Sequence, residues 1–224
     1  MSGKLIVIEG LDGSGKSTQL ELLPQALTAC GIDVHSITFP DYNDPSSTLV
    51  KMYLSGEFGE KAGDVNAYAA STFYAVDRYA SFQRHWKNDY EAGKLILSGR
   101  YTTSNVIHQT AKLDRAQWDA YIDWLYDFEF NKIGIPKPDI TIYLDMPQIA
   151  AQKLMTSRYK GDETKKDVHE RDLEYLENCR SAADFAIEKL GWIRVLCANG
   201  DMPYSVEKIT EELVGIIKKG CAVL

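Results

Sequence analysis

Eight consecutive residues near the start of the chain, Gly10-Leu11-Asp12-Gly13-Ser14-Gly15-Lys16-Ser17, carry the spacing G-x-x-x-x-G-K-[ST]. The residue types explain that spacing. Small residues let successive backbone N–H groups turn inward around phosphate oxygens. The positive end of a helix starting near Ser17 faces the same anion. Lys16 supplies a mobile point charge for the β- and γ-phosphates, and the Ser17 hydroxyl is the expected magnesium ligand. With Thr18, this run is a candidate site for a nucleoside triphosphate. It leaves the phosphate acceptor open.

Phosphoryl transfer is mostly positioning and charge neutralisation, so arginines should line the acceptor side. Two stand out in the middle of the chain: Arg78, within Phe73–Tyr79, and Arg100, within Ser98–Tyr101. A guanidinium fork holds a monophosphate through two parallel bonds, which an ammonium cannot do. Guanine-reading signatures are missing, and motor ATPases are usually longer. A small kinase fits the length best.

These groups need a scaffold. Lys4–Glu9 reads as a buried strand, followed by the glycine loop and a helix from Ser17 to about Cys30, with Pro24 kinking it and Gly31 closing it. Further strands are expected at Val34–Phe39, Leu95–Leu97, Ile140–Leu144 and Trp192–Leu196. Helices are expected at Ser46–Leu54, Asp64–Tyr90, Asp114–Asn131, Pro147–Arg158, Asp167–Leu190 and Ser205–Lys219. Strands alternating with helices imply an α/β fold: a five-stranded parallel sheet covered by helices on both faces. Arg100 directly follows the third strand, and open α/β sheets collect their binding groups at the carboxyl ends of strands. The polar run Tyr159–Lys166 reads as a mobile loop, a small lid at about residues 158–167 in a single domain spanning 1–224.

Composition bounds the rest. The 224 residues are 45% hydrophobic and 25% charged, an ordinary globular balance. Lys and Arg number 25 against 32 Asp and Glu, a net charge of −7 that argues against a nucleic-acid or anionic-membrane binder. No run approaches the length of a membrane span. The four cysteines are scattered without metal spacing and read as free thiols in a reducing compartment, so a cytoplasmic location is expected.

Taken together, the motifs resemble those of the thymidylate kinase family. Residues 8–19, IEGLDGSGKSTQ, are similar to the family's opening. Tyr74 through Arg78 resembles its aromatic-x-x-x-Arg helix motif. The segment from Gly99 to Gln109 resembles DRY-x-x-S-x-x-A-Y-Q, and Pro138–Asp145 resembles the fourth strand. The resemblance implies a P-loop nucleoside monophosphate kinase fold and ATP-dependent, magnesium-dependent phosphorylation of dTMP to dTDP, a step in dTTP supply. It also implies a homodimer.

Carried over by residue, Asp12 contacts the acceptor sugar's 3′-hydroxyl, and Phe39-Pro40 and Tyr42 close the acceptor pocket. Tyr74 stacks on thymine. Arg78 and Arg100 hold the acceptor phosphate, and Ser104 and Gln109 lie near the base. Bland roles stay open for some: Asp12 as a turn former, Tyr74 as core, Gln109 as a surface amide. The chain departs from the family at Gly99, where the family has an acid linked to magnesium. Tyr42 stands where many relatives carry arginine, and His108 replaces an aromatic. Gly13 and Ser14 put no arginine in the loop, so Arg158 at the lid is the candidate cation for the transition state, with a solvated basic loop as the alternative. Two rival functions are a kinase for dUMP or a deoxynucleoside, and a nucleotide-binding protein with impaired catalysis.

Overall fold

Four apolar residues in a row, Leu5 to Ile8, suit a strand covered on both faces. A computed structural model, which describes residues 2–61, 63–159 and 173–223, with 155–159, 173 and 222–223 described by their backbone alone, shows that strand at the centre of the sheet.

In chain order, β1 (Lys4–Glu9) leads into α1 (Lys16–Thr28) and β2 (Val34–Thr38). Then come α2 (Thr48–Leu54), α3 (Ala67–Ser81), α4 (Lys87–Glu91), β3 (Leu95–Gly99), α5 (Thr102–His108) and α6 (Trp118–Tyr126). The second half holds β4 (Ile140–Asp145), α7 (Gln148–Tyr159), α8 (Leu173–Leu190) and β5 (Ile193–Leu196). A small hairpin, β6 (Ala198–Asn199) and β7 (Met202–Pro203), precedes α9 (Val206–Val223). The main sheet has the order β2-β3-β1-β4-β5, parallel throughout. Ile8 pairs with Gly99 and Glu9 with Tyr143, so β1, β3 and β4 end together on one edge. The strand order turns around at β1, which opens a crevice at that edge.

Alternate residues of each strand feed opposite cores. Ile6, Ile8, Ile142 and Leu144 pack under Leu23 and Leu27 of α1 and Leu213 and Ile217 of α9. On the other face Leu5, Val7 and Ile96 meet Phe82, Trp86 and Tyr101. Val106, Tyr121, Leu125, Ala182 and Ala186 build a further cluster around Tyr143. Full burial of each such aliphatic side chain contributes about 1.5–3 kcal/mol.

The structure differs from expectation in several places. The long helix expected over Asp64–Tyr90 begins at Ala67, because the Asn66 side chain caps it by accepting the Ala69 N–H at 2.9 Å. It also passes through a π-helical turn, Phe82–Trp86, before α4. Arg78, Phe82, Trp86 and Tyr90 recur every four residues, a stripe that drifts off one side of a 3.6-residue helix, and the wider turn absorbs the drift. A second π-helical segment, Asp127–Ile133, extends α6 and carries Glu129 into the core. The helix α5 and the hairpin have no counterpart among the expected elements. Pro24 lies within α1, and Gly31 takes the left-handed conformation (φ +80°) just beyond it. Among the described residues no helix is long and apolar enough to cross a membrane. The expected lid falls almost wholly outside the described residues, as does the Arg158 side chain.

Candidate active site

The glycine loop joins the end of β1 to α1, as its residue types require. Gly13 has φ +79°, and a β-carbon there would fall 2.7 Å from the Ala151 carbonyl oxygen of α7. Gly15, at φ +89°, occupies the N-cap of α1 without a side-chain cap, which leaves the leading N–H groups of that helix to an incoming anion. Lys16 is buried. Its Nζ donates to the Gly10 and Leu11 carbonyls at 2.6 and 2.9 Å, so its ammonium is held within the loop itself. Ser17 and Thr18 are exposed at the mouth.

Arg100 stands at the exit of β3 with φ +63°, a left-handed backbone in a non-glycine residue. Its backbone N–H bonds the Ile8 carbonyl and its carbonyl accepts the Ser98 hydroxyl at 2.6 Å, which fixes that conformation. The guanidinium is then aimed at the loop: Nη2 donates to Asp12 Oδ1 at 2.6 Å. Nη1 lies 3.2 Å from His108 Nε2 and 4.0 Å from Glu9 Oε1. Burial opposes its charge, but the carboxylates of Asp12 and Glu9 outweigh that and hold its pKa above the ordinary arginine value. Arg100 keeps about a quarter of its side chain exposed, the part open to a ligand.

Glu9, which residue spacing did not single out, is fully buried at the end of β1. Its oxygens accept the Gly10 N–H at 3.0 Å, the Thr103 hydroxyl at 2.8 Å and the Ser104 hydroxyl at 2.7 Å. It therefore pins the start of the loop to α5. An acid closing an apolar strand just before the loop was the available signal. Ser104, expected near the base, donates its hydroxyl to Glu9.

Arg78 lies in the core. Expected on the acceptor phosphate, it is 1% exposed and turned into the core. Nε and Nη2 bond the two oxygens of the fully buried Glu129 at 2.7 and 2.5 Å, and Nη1 donates to the Tyr101 carbonyl at 3.3 Å. Thr102 adds a hydroxyl to Glu129 at 2.8 Å. Desolvation works against the Arg78 charge, and Glu129 more than offsets it. Its fork is filled by a carboxylate rather than aimed at the crevice. The partner, 51 positions later in the chain, had no local signal.

The remaining residues are split. Phe39, whose bond to Pro40 is cis, is buried against Tyr101 with ring centroids 5.7 Å apart. Tyr42 is 54% exposed on the loop after β2. That loop is fastened by Asp77, which accepts the Ser46 hydroxyl at 2.6 Å and the Asp41 N–H at 3.2 Å. Tyr74 is half-buried and meets Tyr53 edge-on at 6.3 Å. Gln109 is buried rather than on a helix surface, and its Oε1 has no hydrogen-bond partner among the described residues.

For magnesium, the exposed Ser17 hydroxyl beside the phosphate position fits a cation that keeps most of its waters. Gly99 offers no donor, and a β-carbon there would lie 2.1 Å from Leu20 Cδ1, so Leu20 fills the space an acidic side chain would enter. Asp145, at the end of β4, is engaged by Arg194 at 2.8 Å and Arg180 at 3.6 Å.

A phosphate-cradling loop stands at the edge where the strand order turns, with Arg100 tied to it through Asp12. With the five-stranded parallel sheet and flanking helices, this is a P-loop kinase of the nucleoside monophosphate kinase fold. The family model for thymidylate kinase matches residues 8–209, and the chain belongs to the thymidylate kinase family. It is 32% identical over 192 residues to the thymidylate kinase of Mycobacterium tuberculosis (strain CDC 1551 / Oshkosh), covering 84% of this chain and 87% of that one. It is 29% identical over 220 residues to a probable thymidylate kinase of Thermococcus gammatolerans, covering 97% of each. The solved structure of thymidylate kinase from Candida albicans shares the fold, with a TM-score of 0.71 at 24% identity, covering 97% of this chain and 92% of that one.

Proposed function

We propose that this protein transfers the terminal phosphoryl group of ATP to dTMP, giving dTDP and ADP, within one kinase domain. The observation that carries this reading is the Arg100–Asp12 pair: a guanidinium with a quarter of its surface open, anchored on the phosphate loop at the carboxyl edge of the sheet. Lys16 leaves its own loop's carbonyls to neutralise the donor phosphates. Ser17 would hold a magnesium ion, which shields the charge between the two nucleotides. Arg100 orients the acceptor phosphate in line with the donor, and Asp12 keeps Arg100 there while facing the acceptor sugar. Tyr74 offers an aromatic face to the base. Arg158 is the candidate for the last cation. No covalent intermediate is needed, since positioning and charge neutralisation carry phosphoryl transfer.

Coupled detection of ADP release across dTMP, dUMP, thymidine and other monophosphates tests this. Preferred turnover of dTMP is expected. A preference for thymidine over dTMP would leave Arg100 without a phosphate to hold and would overturn the assignment.

We also read the protein as a cytoplasmic homodimer. Tyr68, Val76 and Tyr79 form an exposed stripe on α3. Beside it Tyr68 meets Trp124 edge-on at 4.6 Å, and Trp124 stacks on Phe128. An aromatic patch of this kind suits an interface core. Mass measured across a concentration series should report twice the monomer, and a monomer throughout rejects it.

A further inference from the structure

Arg100 is bordered on its inner side by an imidazole, and that contact dictates a proton position. A guanidinium has only N–H donors, so a nitrogen 3.2 Å from Nη1 can bond it only through a lone pair. His108 Nε2 must therefore be bare, and the ring proton sits on Nδ1. The surroundings agree. Nδ1 faces the Tyr175 hydroxyl and the Cys179 sulfur of α8, each at 3.5 Å. The Tyr175 hydroxyl spends its own proton on the His108 carbonyl at 2.8 Å, which leaves its oxygen as an acceptor toward Nδ1. Burial raises the Tyr175 phenol well above its usual value and pushes the Cys179 thiol up to about 12, so neither is an anion at neutral pH.

We propose that neutral His108 is a positioning residue for the acceptor phosphate: its Nε2 lone pair holds Arg100 in the crevice, and gaining a proton there releases the arginine. The inference rests on the reading of Arg100 given above. The charged groups facing the pair are Arg100 after β3, Asp12 of the loop and Glu9 of β1. Tyr175 and Cys179 face it from α8, with Lys112 near Cys179, and Tyr74 and Tyr42 lie on the open side. Burial lowers the Lys112 pKa to about 8, so of these side chains and His108 only an imidazole ordinarily changes charge well below pH 8. A protonated ring would present an N–H⁺ to another cation and forfeit the bond. Arg100 would then keep Asp12 and the more distant Glu9. The same ring joins Arg100 to α8, the helix that follows the expected lid in the chain.

The experiment measures KM for dTMP, KM for ATP and kcat from pH 5.5 to 8.5 for the wild type, His108→Gln and His108→Phe. A glutamine amide oxygen reaches about as far as Nε2 and accepts from Arg100 without titrating. The phosphate of dTMP itself titrates near pH 6, so each profile is divided by that of His108→Gln, which removes the substrate's own contribution. His108→Phe should raise KM for dTMP about tenfold, as expected for losing a bond to a charged group, with KM for ATP unmoved. His108→Gln should restore KM at pH 8, and the wild-type profile divided by that of His108→Gln should rise as the pH falls. A KM for dTMP in His108→Phe equal to wild type at every pH overturns the proposal, as does a His108→Gln variant as impaired as His108→Phe. Arg100→Ala is run in parallel. If it leaves KM for dTMP unchanged, the reading of Arg100 fails. If it raises KM while the His108 variants do not, only the inference about His108 fails.

Discussion

Arg78 and Arg100 lie 22 positions apart, both in segments where a phosphate-binding arginine is expected, and the fold treats them in opposite ways. Arg78 lies under the sheet's helical cover with a carboxylate across both arms of its fork. Arg100 is held from behind by Asp12, His108 and the nearby Glu9, and shows its front to the crevice. The lesson concerns which charges are spent. A guanidinium desolvated and bonded to buried acceptors through all three nitrogens serves the scaffold, because burial keeps a ligand from its remaining N–H groups. One held on one side keeps both its direction and an open donor. The strained backbone of Arg100 fits that difference, since positive φ in a non-glycine residue is tolerated where the surroundings over-determine it.

The comparison breaks most easily at Arg78. Arg78→Ala should cost about 3–5 kcal/mol of stability by stranding the Glu129 charge in the core. A urea titration reads this as a lower midpoint. Arg78→Met with Glu129→Leu, which removes both charges, should recover most of the loss. Equal stability of Arg78→Ala and wild type would mean the pair is not the anchor described here.

Arg100→Ala should do the reverse. Its kcat/KM for dTMP should fall about 10²- to 10³-fold, the cost of losing one aimed cation at the transferring charge. Its thermal midpoint should stay near wild type, since the side chain is partly exposed. Steady-state kinetics and a melting curve on one preparation separate the two.

Gly99 sharpens the comparison from behind Arg100. Gly99→Asp should destabilise by about 1–3 kcal/mol through overpacking against Leu20. It should not lower the magnesium concentration needed for half-maximal turnover. Adding Leu20→Ala should relieve the strain. A fully stable Gly99→Asp would show that Leu20 does not occupy that space.

The smallest effect comes from Lys112, a half-buried cation whose Nζ bonds the Tyr53 hydroxyl at 2.6 Å and the Val65 carbonyl at 3.1 Å, with no carboxylate partner among the described residues. Where Glu129 holds the Arg78 charge, desolvation here lowers the Lys112 pKa to about 8. Between pH 8 and the unfolded value of 10.5 the unfolded chain binds more protons at this site. Its contribution therefore favours the folded state increasingly as pH rises through that window. Denaturation midpoints at pH 8 and pH 10, compared with Lys112→Met, should show this as a relative gain in the wild type. Parallel profiles would remove it.

Much of the architecture was legible in order of sequence. The five strands begin within a residue of where β-branched runs and breakers place them, because a strand buried on both faces must be apolar along its length. The glycine loop was equally plain: its function lies in backbone N–H groups, and backbone conformation is written in adjacent glycines. Helix α5 leaves no periodic signal because Thr102–His108 is short and polar, and its hydroxyls form no apolar period. The π-helical turns leave none either, since four-residue steps read as ordinary helix.

What the chain alone determined, then, was whatever rests on neighbours in sequence: the strands, the phosphate loop, and the presence of two arginines in the right stretches. Only the tertiary structure decided which arginine is buried against a carboxylate and which keeps an exposed face. Glu129 reaches Arg78 across 51 positions, and Asp12 reaches Arg100 across 88. Pairing of charges depends on distance and burial in space, and neither is encoded in the spacing of one residue from the next.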